Sequence, residues 1–180
     1  MLRLVPPCLE LMPGYAAGLE AGWSPSTTRD VCGEQLELLR RDPALLIDHL
    51  TRQDGTITLA DGRAVPRLPS RTFWLHDGEF CGSINLRFQT GSEALPPHAE
   101  GHIGYAVVPW KRGRGYATEA LRQILSAARE CGLMRVQLTC DPDNHASRRV
   151  ILKNGGVFER RYINDDGATK LSFWIDLTPA

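Results

Sequence analysis

The residues best suited to chemistry gather in one stretch, Val107-Val108-Pro109-Trp110-Lys111-Arg112-Gly113-Arg114-Gly115-Tyr116-Ala117-Thr118. A strand pattern ends there, a short basic loop with glycines follows, and a helical pattern begins. The first turn of a helix carries backbone N–H groups with no intrahelical acceptor, and its aligned peptide dipoles add partial positive charge. Both favour a phosphate. Gly113 and Gly115 have no Cβ, which lets the backbone approach a bulky pyrophosphate. Lys111, Arg112 and Arg114 concentrate positive charge on the same loop. No Gly-Lys-Ser/Thr follows, so the loop is not a Walker A cradle. Thr118 stands where a dinucleotide fingerprint needs a third glycine or an alanine.

A loop of this kind must be held between regular elements, and the surrounding pattern supplies them. Residues 28–41 turn helical in their second half, Asp42-Pro43 interrupts, and residues 44–52 resume a helical pattern. Ile57, Leu59 and Val65 around Asp61-Gly62 predict a small hairpin or ordered loop. Residues 72–76 read as a strand, and Asp77-Gly78 as a tight turn. Phe80, Gly82, Ile84, Leu86 and Phe88 then alternate with Glu79, Cys81, Ser83, Asn85 and Arg87, a strand with two different faces. A loop with two prolines spans 89–100, and a strand over 102–108 closes at Pro109.

After the basic loop, Ala117, Ala120, Leu121, Ile124, Leu125, Ala128 and Cys131 recur at helical spacing up to Gly132. Val136, Leu138 and Cys140 alternate in a further strand. Asp143 or Asn144 can cap a helix that reaches Asn154 and stops at Gly155-Gly156. Two final strands surround Asp165-Asp166-Gly167. The fold class expected is α/β, of the mixed α+β kind, with helices on the faces of one sheet.

Composition limits the function classes. The 180 residues fit a single domain, 1–180, able to bury a core without metals or disulfides. Lys plus Arg and Asp plus Glu both total 21, so the formal net charge is zero. That balance argues against a nucleic-acid partner and a polybasic membrane clamp. No apolar run has the roughly 18 residues of a membrane span. The N-terminus lacks the layout of a signal peptide, so a cytoplasmic location is expected. The five cysteines form no C-x-x-C pair, which fits reduced, mostly buried thiols and gives no support for a metal.

Three segments together carry a family resemblance. Arg112-Gly113-Arg114-Gly115-Tyr116-Ala117 resembles the R/Q-x-x-G-x-G/A motif of GNAT N-acetyltransferases. Asn144-His145-Ala146-Ser147 resembles the N-x-x-S segment that opens that family's next helix, and Gly155-Gly156-Val157-Phe158 its G-G-F/G-F ending. The likeness is strong from about Phe73 to Leu177 and weak before residue 70. It implies a mostly antiparallel, splayed central sheet flanked by helices. It also implies acetyl-CoA as co-substrate and no metal. The pyrophosphate would sit on the backbone of Arg112, Gly113, Arg114, Gly115, Tyr116 and Ala117, with Thr118 beside them. Asn144 and Ser147 match positions that touch the cofactor. The strand ending at Val107 and Val108 would splay from the one at 135–140, and a backbone N–H at Val107 or Val108 would polarise the thioester carbonyl.

For proton transfer the motifs offer several candidates. The family often places a glutamate where Gly101-His102-Ile103-Gly104-Tyr105 puts His102, whose reference pKa of about 6.5 suits a base. Glu100, two residues earlier, is the other candidate. The family's frequent tyrosine acid falls on Ile151, which cannot donate a proton, leaving Ser147, Tyr105, Cys140 or water.

The expected function is therefore transfer of an acetyl group from acetyl-CoA to a primary amine of a small molecule or protein, by direct attack. The absent tyrosine and the histidine in the glutamate position motivate an alternative, a non-catalytic acyl-CoA sensor. Residues 71–180 would form the cofactor core. Residues 1–70, with the loop 89–100, would choose the acceptor. The oligomeric state is left open, a homodimer included.

Overall fold

Period two along residues 80–88 calls for a strand with two different faces, and the fold covers both. The computed structural model describes residues 1–26, 29–59 and 62–177. Strand β5 (Phe80–Arg87) pairs antiparallel with β4 (Ser70–His76) and with β6 (Ile103–Val107). A short strand, β1 (Arg3–Val5), closes the other side of β4, giving the order β1-β4-β5-β6. A second sheet has the order β7-β9-β8, built from β7 (Arg135–Cys140), β8 (Val157–Ile163) and β9 (Thr169–Asp176). A separate hairpin joins β2 (Thr56–Thr58) and β3 (Ala64–Pro66), with Ile57 opposite Val65. Its expected turn residue Asp61 lies outside the described residues.

One face packs against α4 (Tyr116–Glu130) and α5 (His145–Lys153). Ala120, Leu121, Ile124 and Ala128 of α4 are fully buried there with Leu75, Ile84, Leu138 and Phe173. Burying each large side chain contributes about 1.5–3 kcal/mol. Helix α5 begins where Asn144 Oδ1 accepts the Ser147 N–H at 2.9 Å. It ends at Lys153 with Asn154 as the C-cap, Gly155 follows at φ +82°, and at Gly156 an added Cβ would stand 2.3 Å from Ile151 Cγ2.

The opposite face carries α1 (Met12–Glu20), α2 (Cys32–Arg41) and α3 (Pro43–Thr51). Met12, Tyr15 and Leu19 lie on the buried side of α1, at helical spacing. Tyr15 stacks on Trp74 with ring centroids 4.7 Å apart, while Trp23 and Phe80 meet it edge-on. Trp74 thus serves this cluster and Leu75, its neighbour on β4, serves the other. Gly14 is required by close packing, because a Cβ there would meet Phe80 Cβ at 2.5 Å. Neither β1 nor α1 is expected from the sequence pattern. Asp42 starts α3 by accepting the Ala44 N–H at 2.8 Å.

The two larger sheets join at one point. The His102 N–H donates to Gln137 O at 2.7 Å, and the Gln137 N–H donates to His102 Nδ1 at 2.9 Å. An imidazole here takes the place of a backbone carbonyl. Gly101 makes the approach possible. Its φ is +77°, and an added Cβ would lie 3.1 Å from Gln137 O. Beyond this junction β6 and β7 belong to different sheets, and a gap opens between them.

Candidate active site

The gap is a cleft of about 830 Å³, lined by β6, the basic loop, the start of α4, the end of β7 and the start of α5. Its backbone chemistry follows from strand alternation. The Arg87 N–H donates to His102 O at 2.8 Å, and the Val108 N–H donates to Cys81 O at 3.0 Å. By alternation between these two bonds, Gly104, Ala106 and Val108 direct their polar backbone to β5, as does the carbonyl of His102. Alternation turns the N–H groups of Ile103, Tyr105 and Val107 away from β5, toward the gap. The two expected carbonyl-polarising donors thus separate. Val107 lines the cleft, whereas Val108 is fully buried against the α1 cluster and its N–H is spent.

At the loop, Gly113 and Gly115 have φ of +76° and +80°, and neither would meet a neighbour through an added Cβ. Their need for glycine is therefore conformational. Gly115 is the N-cap of α4 and offers no side-chain bond to the first turn. The first helical bond is the Glu119 N–H to Gly115 O, at 3.1 Å. The amides of Tyr116, Ala117 and Thr118 are left for a ligand, and all three residues line the cleft with Arg112, Gly113 and Gly115.

The basic side chains of this loop are mostly engaged elsewhere. Lys111 is buried, with Nζ donating to Asp77 Oδ2 at 3.0 Å and lying 2.8 Å from Glu79 Oε2. The Tyr116 hydroxyl also donates to Asp77. The Tyr116 bond and the Lys111 ammonium hold the Asp77 carboxyl well below the usual carboxylate range. Arg112 Nε folds back to Val107 O at 3.1 Å. Arg114 is exposed, donates to Trp110 O at 3.4 Å and does not line the cleft.

Across the gap, Asn144 and Ser147 both line the cleft. The Tyr105 hydroxyl lies 2.9 Å from Ser147 Oγ. Burial pushes the Tyr105 phenol up to about 12, so it keeps its proton at neutral pH. Burial also raises the Cys140 thiol, which leaves it a poor nucleophile. Ile151 is a fully buried core residue.

The two candidate bases lie in different environments. His102 is fully buried, its Nδ1 is occupied by Gln137, and it does not line the cleft. Burial first, then the nearby Arg87 charge, lowers its pKa to about 4, so the ring is neutral and binds the sheets together. Glu100 does line the cleft. One of its oxygens accepts the Asn164 side-chain amide, and the other lies 3.8 Å from Lys170 Nζ.

Sequence reasoning did not single out Arg87, Asp141 or Lys170, which line the same end of the cleft as Glu100. Arg87 showed only as a polar position in an alternating strand. The other two come from β9 and from the residue after β7, with no local motif. Among the described residues, no group of three or more His, Cys, Asp or Glu side chains could hold a metal ion. Among them, no helix is long and apolar enough to cross a membrane.

Known structures share the architecture. RimJ of Mycobacterium smegmatis, solved with CoA-disulfide, superposes with a TM-score of 0.66 at 22% identity over 97% of this chain and 81% of that one. The microcin C7 self-immunity acetyltransferase MccE, solved with acetyl-CoA and AMP, gives 0.64 at 12% identity over 97% and 92%. RimL, a ribosomal L7/L12 alpha-N-protein acetyltransferase solved with coenzyme A, gives 0.63 at 16% identity over 98% and 94%. At such identities the likeness speaks for the fold. No curated protein matches the chain in sequence. The family model described as "Acetyltransferase (GNAT) domain" matches residues 41–157, taking in the basic loop, the open amides of α4 and the Asn144–Ser147 turn. The chain therefore belongs to the GNAT acetyltransferases and is an enzyme that transfers an acetyl group from acetyl-CoA.

Proposed function

We propose that this enzyme acetylates a primary amine, on a small molecule or a protein, by direct attack in the cleft between β6 and β7, with Glu100 as the proton acceptor. The observation that carries the reading is that Glu100, the outward N–H of Val107 and the uncapped amides of α4 all open on one cleft. Acetyl-CoA supplies the thioester. The amides of Tyr116, Ala117 and Thr118, with the glycine backbone before them, receive its pyrophosphate. Arg112, Asn144 and Ser147 frame the same end.

An amine is mostly protonated at neutral pH and must lose a proton before it attacks. Glu100 takes that proton, directly or through one water. The amine nitrogen then bonds to the carbonyl carbon, and the Val107 N–H stabilises the negative oxygen that forms. Glu100 hands its proton to solvent and takes the second proton from the nitrogen of the adduct. The carbon–sulfur bond then breaks, and the departing thiolate takes a proton from the Tyr105 hydroxyl, which recovers one from cleft water through Ser147. The products are an amide and free CoA thiol. Tyr105 thus serves where Ile151 cannot.

Glu100→Gln tests the reading. Turnover, followed as free CoA thiol against an amine panel, should fall about 10²–10³-fold, while calorimetry shows unchanged acetyl-CoA affinity. Unchanged turnover would remove Glu100 from the chemistry. Acetyl-CoA binding with no turnover on any amine would favour an acyl-CoA sensor.

A further inference from the structure

The end of the cleft nearest the sheet junction is lined by charges from four separate segments: Arg87 at the end of β5, Glu100 before β6, Asp141 after β7 and Lys170 on β9. Their formal charges cancel. Two of them satisfy each other, since Lys170 Nζ donates to Asp141 Oδ1 at 2.8 Å. Glu100 holds Asn164 with one oxygen; its other oxygen is buried, lies 3.8 Å from Lys170 Nζ and accepts no hydrogen bond among the described residues.

Arg87 has Glu100 as its counter-charge but no hydrogen-bond acceptor. Among the described residues no acceptor hydrogen-bonds to its guanidinium, and its Nε is buried without a partner. The side chain reaches over Gly104, where an added Cβ would lie 3.7 Å from one terminal nitrogen. Gly104 also lines the cleft. The absence of a side chain there leaves open the space in front of the guanidinium. A guanidinium whose Nε is buried without an acceptor is unfavourable. A planar carboxylate satisfies it with two parallel N–H···O bonds.

We propose that the acceptor is an amino carboxylate, whose ammonium group meets Glu100 and whose carboxylate meets Arg87. This rests on the acetyltransferase reading above. The charge count selects the class. A zwitterion leaves the end of the cleft neutral and fills both open valences. A simple cationic amine leaves Arg87 without an acceptor and is repelled by it. A peptide N-terminus brings the ammonium but only a neutral carbonyl. A phosphate dianion sets two negative charges against one guanidinium.

The test compares free amino acids with their amides, their decarboxylated amines and short peptides, following CoA thiol release. At least one free amino acid should exceed its own amide about 100-fold in kcat/KM, because a site built for a polar group discriminates strongly against its absence. Arg87→Met should raise KM for that amino acid at least about 30-fold and leave KM for the amide within about twofold. Arg87→Lys, which keeps the charge and loses the fork, should fall between. The substrate comparison uses the unaltered enzyme, so it does not depend on how a variant folds. Amides or peptides acetylated as well as free amino acids overturn the proposal and leave the transferase reading intact, as does an equal effect of Arg87→Met on both substrates. Calorimetry with acetyl-CoA reports on the transferase reading alone. If acetyl-CoA does not bind, direct titration of amino acids decides the proposal: binding that Arg87→Met abolishes upholds it, and no binding overturns it.

Discussion

At the loop end of the cleft, basic side chains are abundant and largely committed. Lys111 is held by Asp77 and Glu79, Arg112 folds onto Val107 O, and Arg114 points to solvent. What remains for a polyphosphate is backbone: the positive-φ glycines and the open amides of α4. At the junction end the reverse holds. The backbone is tied up by the His102–Gln137 pairing, and side chains from distant segments face the cavity. On the proposed reading, a constant polyphosphate meets backbone geometry, and a variable acceptor meets side chains that can change without disturbing the fold.

This contrast can be broken at several points. The largest effect is expected from His102→Ala, which removes the acceptor for a buried N–H and opens a void. Urea unfolding should show a loss of about 3 kcal/mol. The parent protein should itself lose stability as pH falls from about 6.5 toward 4. In that window the unfolded histidine binds a proton that the folded ring, with its pKa lowered to about 4, refuses. The slope from this residue should reach at most about 1.4 kcal/mol per pH unit and vanish in His102→Ala. A variant of full stability that lost only turnover would return His102 to the chemistry.

Next in size is Gly115→Val. A branched side chain at φ +80° is strained by at least about 1–2 kcal/mol and tilts the first amides of α4. Acetyl-CoA affinity by calorimetry should fall about tenfold or more, with Glu100-dependent chemistry unaffected at saturating cofactor. The smallest effect is expected from Arg114→Ala. An exposed charge contributes about 0.5 kcal/mol, so affinity should change less than about threefold. A tenfold loss would mean that charge, not backbone geometry, holds the polyphosphate.

The sequence was most legible where elements were long and regular. The alternation in β5, the apolar stripe of α4 and the Asn144 cap each appear at the expected places. β1 escaped because it has only 3 residues, too few to show a period. α1 escaped because Gly14, Ala16, Ala17 and Gly18 dilute its apolar stripe. Tight packing on Phe80 and Trp23 requires the small residues Gly14 and Gly18. The scattered cysteines remain free thiols, with Cys81 and Cys140 buried and the other three partly so.

The proposed cofactor side was legible in the amino-acid order alone. Glycines, helix start and cap lie within a few residues of one another, and the chemistry they offer belongs to the local backbone. Only the tertiary structure decided the rest. It separated His102 from Glu100 by burying one ring at the junction of two sheets, and Val107 from Val108 by strand alternation. It also brought residues 87, 100, 141 and 170 to one end of the cleft. Long-range pairing of strands fixes those contacts, and no local pattern encodes which side chains will face a gap between two sheets.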